Sequence, residues 1–142
     1  MAAGEHLSKR TDRIADFRQY RHAVQSGAMC YSVRQSGVIE TLSLSSRDTG
    51  RWIIPKGNID EDERPYKAAK REAFEEAGVV GKIKKLPIGC YSYVKSPSKP
   101  VYLVAVFLLR VTDEEDEFRE KGQRIRQWLP PSEAAALVAD PN

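Results

Sequence analysis

The segment from residue 57 to residue 79 constrains the fold more than any other part of the chain, because it combines a short amphipathic helix with crowded acidic residues. Pro65 is tolerated in the first turn of a helix, and Gly78 is suited to the position just after its end. The segment therefore predicts a helix from about Pro65 to Ala77. Small residues give this helix a smooth face that can pack closely against a sheet, and they are Ala69, Ala73 and Ala77.

The same helix carries a cluster of carboxylates. At about 100° per residue, Glu72, Glu75 and Glu76 project within roughly a 100° arc of one face. Each like-charged i,i+4 pair costs a few tenths of a kcal/mol on an exposed helix, so we expect a positive partner. Arg71 lies four residues before Glu75 and can hold that carboxylate in one rotamer. Crowded hard oxygens are also the ligands that Mg²⁺ or Mn²⁺ takes. A solvated acidic face is the alternative interpretation.

The spacing of the whole segment favours the metal site. It reads G-x5-E-x7-R-E-U-x-E-E-x-G-U, where U is apolar, with Gly57 first and Val79 last. This pattern resembles the Nudix box at every fixed position. The resemblance implies an α+β fold, in which a mixed β-sheet is sandwiched between α-helices (an α/β/α sandwich) and the box forms a loop-helix-loop.

The resemblance also implies a reaction, in which water attacks a phosphorus of a diphosphate linkage with Mg²⁺ as cofactor and Mn²⁺ as the substitute. Glu75 is the implied proton acceptor, with a base in the acidic run from Glu114 to Glu120 as the alternative. The implied catalytic residues are Glu75, Glu72 and Arg71. The implied metal site comprises Glu72, Glu76, Glu75, Glu63 in a supporting or ligating role, and a backbone carbonyl at Lys56 or Gly57.

Beyond the box, the chain resembles the branch that hydrolyses diphosphoinositol polyphosphates and dinucleoside polyphosphates. The similarity runs through AMCYSVRQSGVIETLSLSSRDTGRWIIPKG and returns at KGQRIRQWL. Basic residues in the equivalent stretches of that branch hold phosphates, so the substrate-binding candidates are Arg47, Lys56, Arg124 and Arg126. Lys95 and Lys99 are weaker candidates, and solvated surface is the alternative for all of them.

The substrate class stays open between inositol and nucleoside compounds. The chain reads Pro55-Lys56-Gly57-Asn58 where that branch has a glycine-rich approach to the box, which keeps dinucleoside polyphosphates in consideration. Tyr91, Tyr93 and Tyr102 could clamp a nucleobase, although such residues more often belong to a core or a sheet surface. The other functions considered are a general nucleoside triphosphate or nucleotide-sugar pyrophosphohydrolase and a non-catalytic, nucleotide-binding regulator.

The rest of the chain predicts one domain. Residues 1–21 are expected to form an N-terminal arm or helix, and residues 22–142 the Nudix domain, with a polar loop from Lys56 to Glu63. The predicted strands are Ala28–Val33, Val38–Leu44, Trp52–Ile54, Ile83–Val94, Val101–Val111 and Ile125–Leu129, with a terminal helix at Glu133–Val138. Strands and helices without regular alternation favour an α+β fold.

Composition excludes several classes of protein. No stretch approaches the roughly 20 apolar residues of a membrane helix, and residues 1–13 lack the features of a secretory signal, so the predicted location is the cytoplasm. A net charge of +3 is too small to indicate nucleic-acid binding, which leaves a small phosphorylated metabolite as the expected partner. The sequence leaves open whether the protein forms a homodimer. Cys30 and Cys90 are expected to be reduced thiols in the core.

Overall fold

The computed structural model describes residues 24–47 and 49–134. The predicted arm at residues 1–21 lies outside them, as does most of the predicted terminal helix at Glu133–Val138. Only its residues 133 and 134 are described, at the end of a helical segment that begins at residue 131. Within the described ranges the structure has a longer helix, α1 (Pro65–Ala77), and eight strands. The strands are β1 (Val24–Val33), β2 (Ile39–Ser45), β3 (Trp52–Ile53), β4 (Lys56–Asn58), β5 (Val79–Ile83), β6 (Gly89–Val94), β7 (Val101–Glu114) and β8 (Arg126–Leu129).

All these strands belong to one mixed sheet, with the path β3-β2-β1-β7-β5. β1 runs parallel to β7, while the other pairings are antiparallel. One edge of β1 pairs with β7. The other edge pairs with β4 along the first residues of β1 and with β2 along the last ones. β7 is shared in the same way between β6 and β5. The predicted α+β fold with a mixed sheet is confirmed.

Helix α1 packs on the sheet through its alanine face, as predicted. Ala69, Ala73 and Ala77 are fully buried and join a core that includes Ala28 and Phe107. Because alanine ends at Cβ, the helix backbone can approach the strands closely. Close packing on this side places the glutamates at the edge of the same face against β4, so the core fixes the position of the site.

Two predicted elements differ from the structure by more than their end residues. The expected single strand from Ile83 to Val94 is divided into β5 and β6, which both pair with β7. Pro87 lies in the connection between them and has no N–H to give to the β7 ladder, so the chain leaves the sheet there. The expected loop from Lys56 to Glu63 begins instead as strand β4, which pairs with the start of β1.

The two cysteines are free thiols, as expected, but only one of them is in the core. Cys30 is fully buried and Cys90 is exposed. Burial, with a smaller effect from the Glu76 charge, raises the pKa of the Cys30 thiol far above its usual range. In the described part of the chain, no helix is both long and apolar enough to span a membrane.

Gly78 ends α1 in the left-handed conformation, with φ 70°, and its N–H donates to the Phe74 carbonyl at 2.9 Å. A Cβ at this position would lie 2.4 Å from Cδ1 of Phe118. We expect Gly78→Ala to lower the free energy of unfolding by about 1–2 kcal/mol from left-handed strain and by a further 1–3 kcal/mol or so from overpacking. Gly37→Ala is the matched control, because Gly37 has φ 86° with nothing near its missing Cβ. Urea unfolding of both variants measures the difference, and equal losses would contradict the Phe118 contact.

Candidate active site

The site forms where the second half of α1 meets β4. Gly57, the middle residue of β4, lies directly against the Glu72 carboxyl group, because a Cβ on Gly57 would be 2.3 Å from Cδ of Glu72. A side chain at position 57 would therefore occupy the space of that carboxylate. The local sequence accounts for the requirement, since only glycine lets a strand come this close to a glutamate side chain.

Arg71 holds the acidic residues around it in place. Its Nε and Nη2 donate to the two carboxylate oxygens of Glu63, each at 2.9 Å, and Nη2 also donates to the Asn58 carbonyl at 2.9 Å. Its Nη1 donates to Glu72 at 2.8 Å and to Glu75 at 3.2 Å. The predicted ion pair with Glu75 is present. A guanidinium group suits this task because its five N–H donors form a rigid fork.

Glu63 is held as a support for Arg71. Both of its carboxylate oxygens accept hydrogen bonds from Arg71, and this interaction lowers the pKa of Glu63 below its usual range. The backbone N–H of Asp60 donates to Glu63 as well, at 3.0 Å. With both oxygens engaged, Glu63 fits the supporting role among the two that the sequence left open.

Glu76 is the most buried acidic residue of the site, with 6% of its surface exposed. Its Oε2 accepts a hydrogen bond from the backbone N–H of Lys56 at 3.1 Å. The pKa of Glu76 is raised to about 8, chiefly by burial and also by the nearby charges of Glu72 and Glu120, against the opposing effect of Arg124. Several carboxylates thus share one poorly solvated region, where a bound cation would relieve their repulsion.

Glu120 is a site residue that the sequence had placed only within an acidic run. It follows β7, and its backbone N–H donates to the Glu75 carbonyl at 2.9 Å. Its carboxylate lies 3.1 Å from Arg47 and 3.6 Å from Arg124, and its side chain is 13% exposed. Local spacing accounts for its pair with Arg124 four residues on, but not for its contact with α1, because a turn far along the chain brings it there.

The arginines predicted to bind substrate divide into two groups. Arg124 lies among the carboxylates, 3.8 Å from Glu76, and donates to the Ser45 carbonyl at 3.2 Å. Arg47 reaches the same cluster through Glu120. Arg126 instead donates to the Ala77 carbonyl at 2.6 Å, where it satisfies the end of α1. The structure brings Arg47 and Arg124 to the site and gives Arg126 a contact with the helix end.

The Lys56 side chain lies over Tyr93, with its Nζ 4.5 Å from the centroid of the ring. Burial lowers the pKa of Lys56, and the charges of Arg124 and Lys95 also lower it, while Glu76 raises it. Tyr91, Tyr93 and Tyr102 form a row of neighbouring rings on β6 and β7, with Tyr93 and Tyr102 stacked at 5.2 Å. The three tyrosines are thus part of the sheet surface near β4.

The oxygen donors fit an open divalent-cation site. Within residues 24–47 and 49–134, no three His, Cys, Asp or Glu side chains converge into a closed metal cage. Glu72 and Glu76 offer two hard-oxygen groups, the Glu72 charge raises the pKa of Glu76, and β4 passes beside both. Mg²⁺ is commonly held by one or two carboxylates, with water and substrate phosphates completing the octahedron. Glu72 and Glu76 would be its side-chain ligands here.

Comparison with known proteins gives one consistent result. The NUDIX domain family model matches residues 25–142. Nudix hydrolase 12, mitochondrial, of Arabidopsis thaliana is 33% identical, over 92% of this chain and 73% of its own length. Human diphosphoinositol polyphosphate phosphohydrolase 3-alpha is 34% identical, over 80% of this chain and 68% of its own length. The crystal structure of Caenorhabditis elegans Ap4A hydrolase superposes with a TM-score of 0.66 at 23% identity, over 83% of this chain and 87% of that one, which shows a shared fold.

The contact between Gly57 and Glu72 gives a direct test of the cation site. Gly57→Ala would push the Glu72 carboxylate aside, and we expect Mn²⁺ affinity to fall by about 10- to 100-fold, as for the loss of a residue that orients a ligand. The melting temperature should change little, because the displaced group is the end of a flexible side chain. Gly89→Ala is the control, since nothing lies near its missing Cβ. Mn²⁺ titration followed by electron paramagnetic resonance measures both variants, and unchanged affinity in Gly57→Ala would remove Glu72 from the site.

Proposed function

Because this chain belongs to the Nudix hydrolase family and is a pyrophosphohydrolase, we propose that it uses Mg²⁺ to hydrolyse a diphosphate linkage in a diphosphoinositol polyphosphate or a dinucleoside polyphosphate. The observation that carries this proposal is the arrangement of largely buried carboxylates beside two arginines. Glu72, Glu76 and Glu120 supply negative groups for a divalent cation, and Arg47 and Arg124 adjoin them. A polyphosphate bound with Mg²⁺ has complementary charges for both groups.

The cation site has a defined task in this reaction. When bound, Mg²⁺ would supply positive charge that offsets the charge developing at phosphorus and would make water a better nucleophile. Glu72 and Glu76 would hold it, with a backbone carbonyl of Lys56 or Gly57 beside them. Arg71 keeps Glu72 in position through its Nη1 hydrogen bond of 2.8 Å. Glu63 in turn fixes Arg71, so the support extends from the ligand to the loop before α1.

The proton of the attacking water goes to Glu75 in the proposed mechanism. The water oxygen forms a bond to phosphorus, the bond from phosphorus to the bridging oxygen breaks, and that oxygen leaves on the second phosphate. Glu75 lies on the same face of α1 as Glu72, and one of its carboxylate oxygens accepts a hydrogen bond from Arg71. Its side chain is 23% exposed, so water can reach it. A carboxylate in this position supplies general-base catalysis.

The substrate class is supported by the relatives and by the cations of the site. Among the relatives are diphosphoinositol polyphosphate phosphohydrolases, and a structure with the same fold is an Ap4A hydrolase. Long phosphate chains need several cations, and arginine offers paired N–H donors to phosphate oxygens. Arg124, Arg47 and Lys56 are the three we assign to that role. Arg126 is withdrawn from it because its guanidinium group contacts the end of α1.

The first experiment is a substrate panel with purified protein. Diadenosine polyphosphates, diphosphoinositol polyphosphates, nucleotide sugars and nucleoside triphosphates are tested with Mg²⁺ and with a chelator. We expect Mg²⁺-dependent release of phosphate products from one of the first two classes. Glu76→Gln should lower kcat/KM beyond the roughly 10- to 100-fold cost of losing a residue that only orients a ligand. A preference for triphosphates or nucleotide sugars would replace the proposed class, and folded protein without turnover would favour a binding protein.

A second experiment separates the two candidate bases. Glu75→Gln should lower kcat by about 10²- to 10⁴-fold, the usual contribution of a general base, while Mn²⁺ binding persists. Glu120→Gln should retain more activity, because Glu120 already pairs with Arg47 and Arg124. Glu117→Gln is the matched control from the same run, with an 89% exposed side chain. Single-turnover rates decide the assignment, and the opposite order of losses would make Glu120 the base.

A further inference from the structure

The contact between Lys56 and Tyr93 joins elements that are far apart in the sheet. Lys56 belongs to β4 and Tyr93 to β6, with β1 and β7 between these two strands. The Lys56 Nζ nevertheless lies 4.5 Å from the Tyr93 ring centroid. A lysine ammonium over a tyrosine face is attracted by the quadrupole of the ring, whose faces are partially negative. The side chain of Lys56 is therefore drawn across the sheet surface.

The Tyr93 ring is itself fixed by two neighbours. Its hydroxyl donates to Oε1 of Gln25 at 2.6 Å, and Nε2 of Gln25 donates to Oδ1 of Asn58 at 3.1 Å. Tyr102, the register partner of Tyr93 on β7, stacks on it with an interplanar angle of 18°. Asn58 follows Lys56 on β4 by two residues, so the chain of contacts returns to the strand from which the lysine starts. The ring and the lysine share one connected framework.

The backbone of Lys56 is already part of the candidate active site. Its N–H donates to the Glu76 carboxylate at 3.1 Å, and the next residue, Gly57, packs against Glu72. The side chain thus leaves the chain beside the carboxylates that are proposed to hold Mg²⁺. A free lysine side chain loses much rotamer entropy when it binds an anion. One that is already held in place loses less, which favours binding.

We propose that Tyr93 is a positioning residue, which together with Gln25 holds the Lys56 ammonium ready for the phosphate chain of the substrate. This inference rests on the proposed function, since it concerns the same site. Neither Tyr93 nor Gln25 touches the reacting phosphorus in this proposal. Their effect passes through Lys56, and it concerns substrate binding more than the rate of the chemical step.

The test is a double-mutant cycle with the best substrate of the panel. We expect Tyr93→Leu to raise KM on the order of tenfold, within the range of a cation–π contact, with kcat changed less than about twofold. Tyr93→Phe keeps the ring and loses only the bond to Gln25, so its KM should rise about twofold. Lys56→Met should raise KM at least as much as Tyr93→Leu. In the Lys56→Met background, Tyr93→Leu should have almost no further effect.

Tyr66→Leu is the matched control, because Tyr66 carries the Lys85 ammonium at 5.9 Å from its ring on α1. It removes a lysine–tyrosine contact elsewhere, so any KM change that comes from lost stability appears there too. Melting temperatures are measured for every variant. If Tyr93→Leu does not fold, Gln25→Met serves instead, and its effect on KM should vanish in the Tyr93→Phe background.

Several outcomes would overturn the proposal. Additive losses in Lys56→Met and Tyr93→Leu would show that the tyrosine does not act through the lysine. A Tyr93→Phe variant as impaired as Tyr93→Leu would exclude the ring as the cause. Equal KM increases in Tyr91→Leu and Tyr93→Leu, confined to substrates with a nucleobase, would make these tyrosines a stacking surface instead.

A spectroscopic measurement keeps this inference separate from the proposed function. Protons above an aromatic ring resonate upfield, so the Lys56 Hε signals should lie upfield in the wild type and return to ordinary positions in Tyr93→Leu. If the wild type hydrolyses nothing in the panel, the proposed function fails. The dissociation constant of the protein for inorganic tripolyphosphate, measured in the presence of Mg²⁺, then replaces KM in the same cycle. Ordinary Hε shifts in the wild type would refute the positioning role whatever the substrate.

Discussion

Close packing between α1 and the sheet is the constraint on which the site depends. The alanine face of α1 is fully buried, so the helix backbone lies near β1 and β4. The glutamates at the edge of that face are then forced into a region with little water, as the 6% exposure of Glu76 shows. A larger side chain on the packed face would move them outward. Hydrophobic packing thus supplies the free energy that holds carboxylates where they repel one another.

Two arginines make that arrangement tolerable. Arg71 bonds to Glu63, Glu72 and Glu75 on the side of the loop, and Arg124 lies beside Glu76 on the other side. A buried carboxylate without a partner would be protonated or would unfold the region. Because each arginine serves more than one acid, the removal of either one should affect several carboxylates at once. The acidic cluster is therefore a structural unit as well as a chemical one.

Local patterns were enough to predict α1 and one of its ion pairs. The helix has the bounds expected from Pro65 and Gly78, and the Arg71–Glu75 pair follows from their i,i+4 spacing. Long-range contacts were not predictable in this way. β4 forms only because β1 offers an edge to residues that read as a polar loop. Glu120 reaches α1 through a turn after β7, and Lys56 meets Tyr93 across two intervening strands.

The cations of the site are already partnered, and this affects how a substrate would bind on the proposed function. Arg47 and Arg124 both pair with Glu120, and Lys56 lies on the face of Tyr93. An anionic substrate alone would have to compete with those carboxylates for the arginines. If Mg²⁺ bound together with the substrate, the carboxylates would gain a positive partner while the phosphates would take up the arginines. Binding would then be an exchange of partners that leaves no buried charge uncompensated.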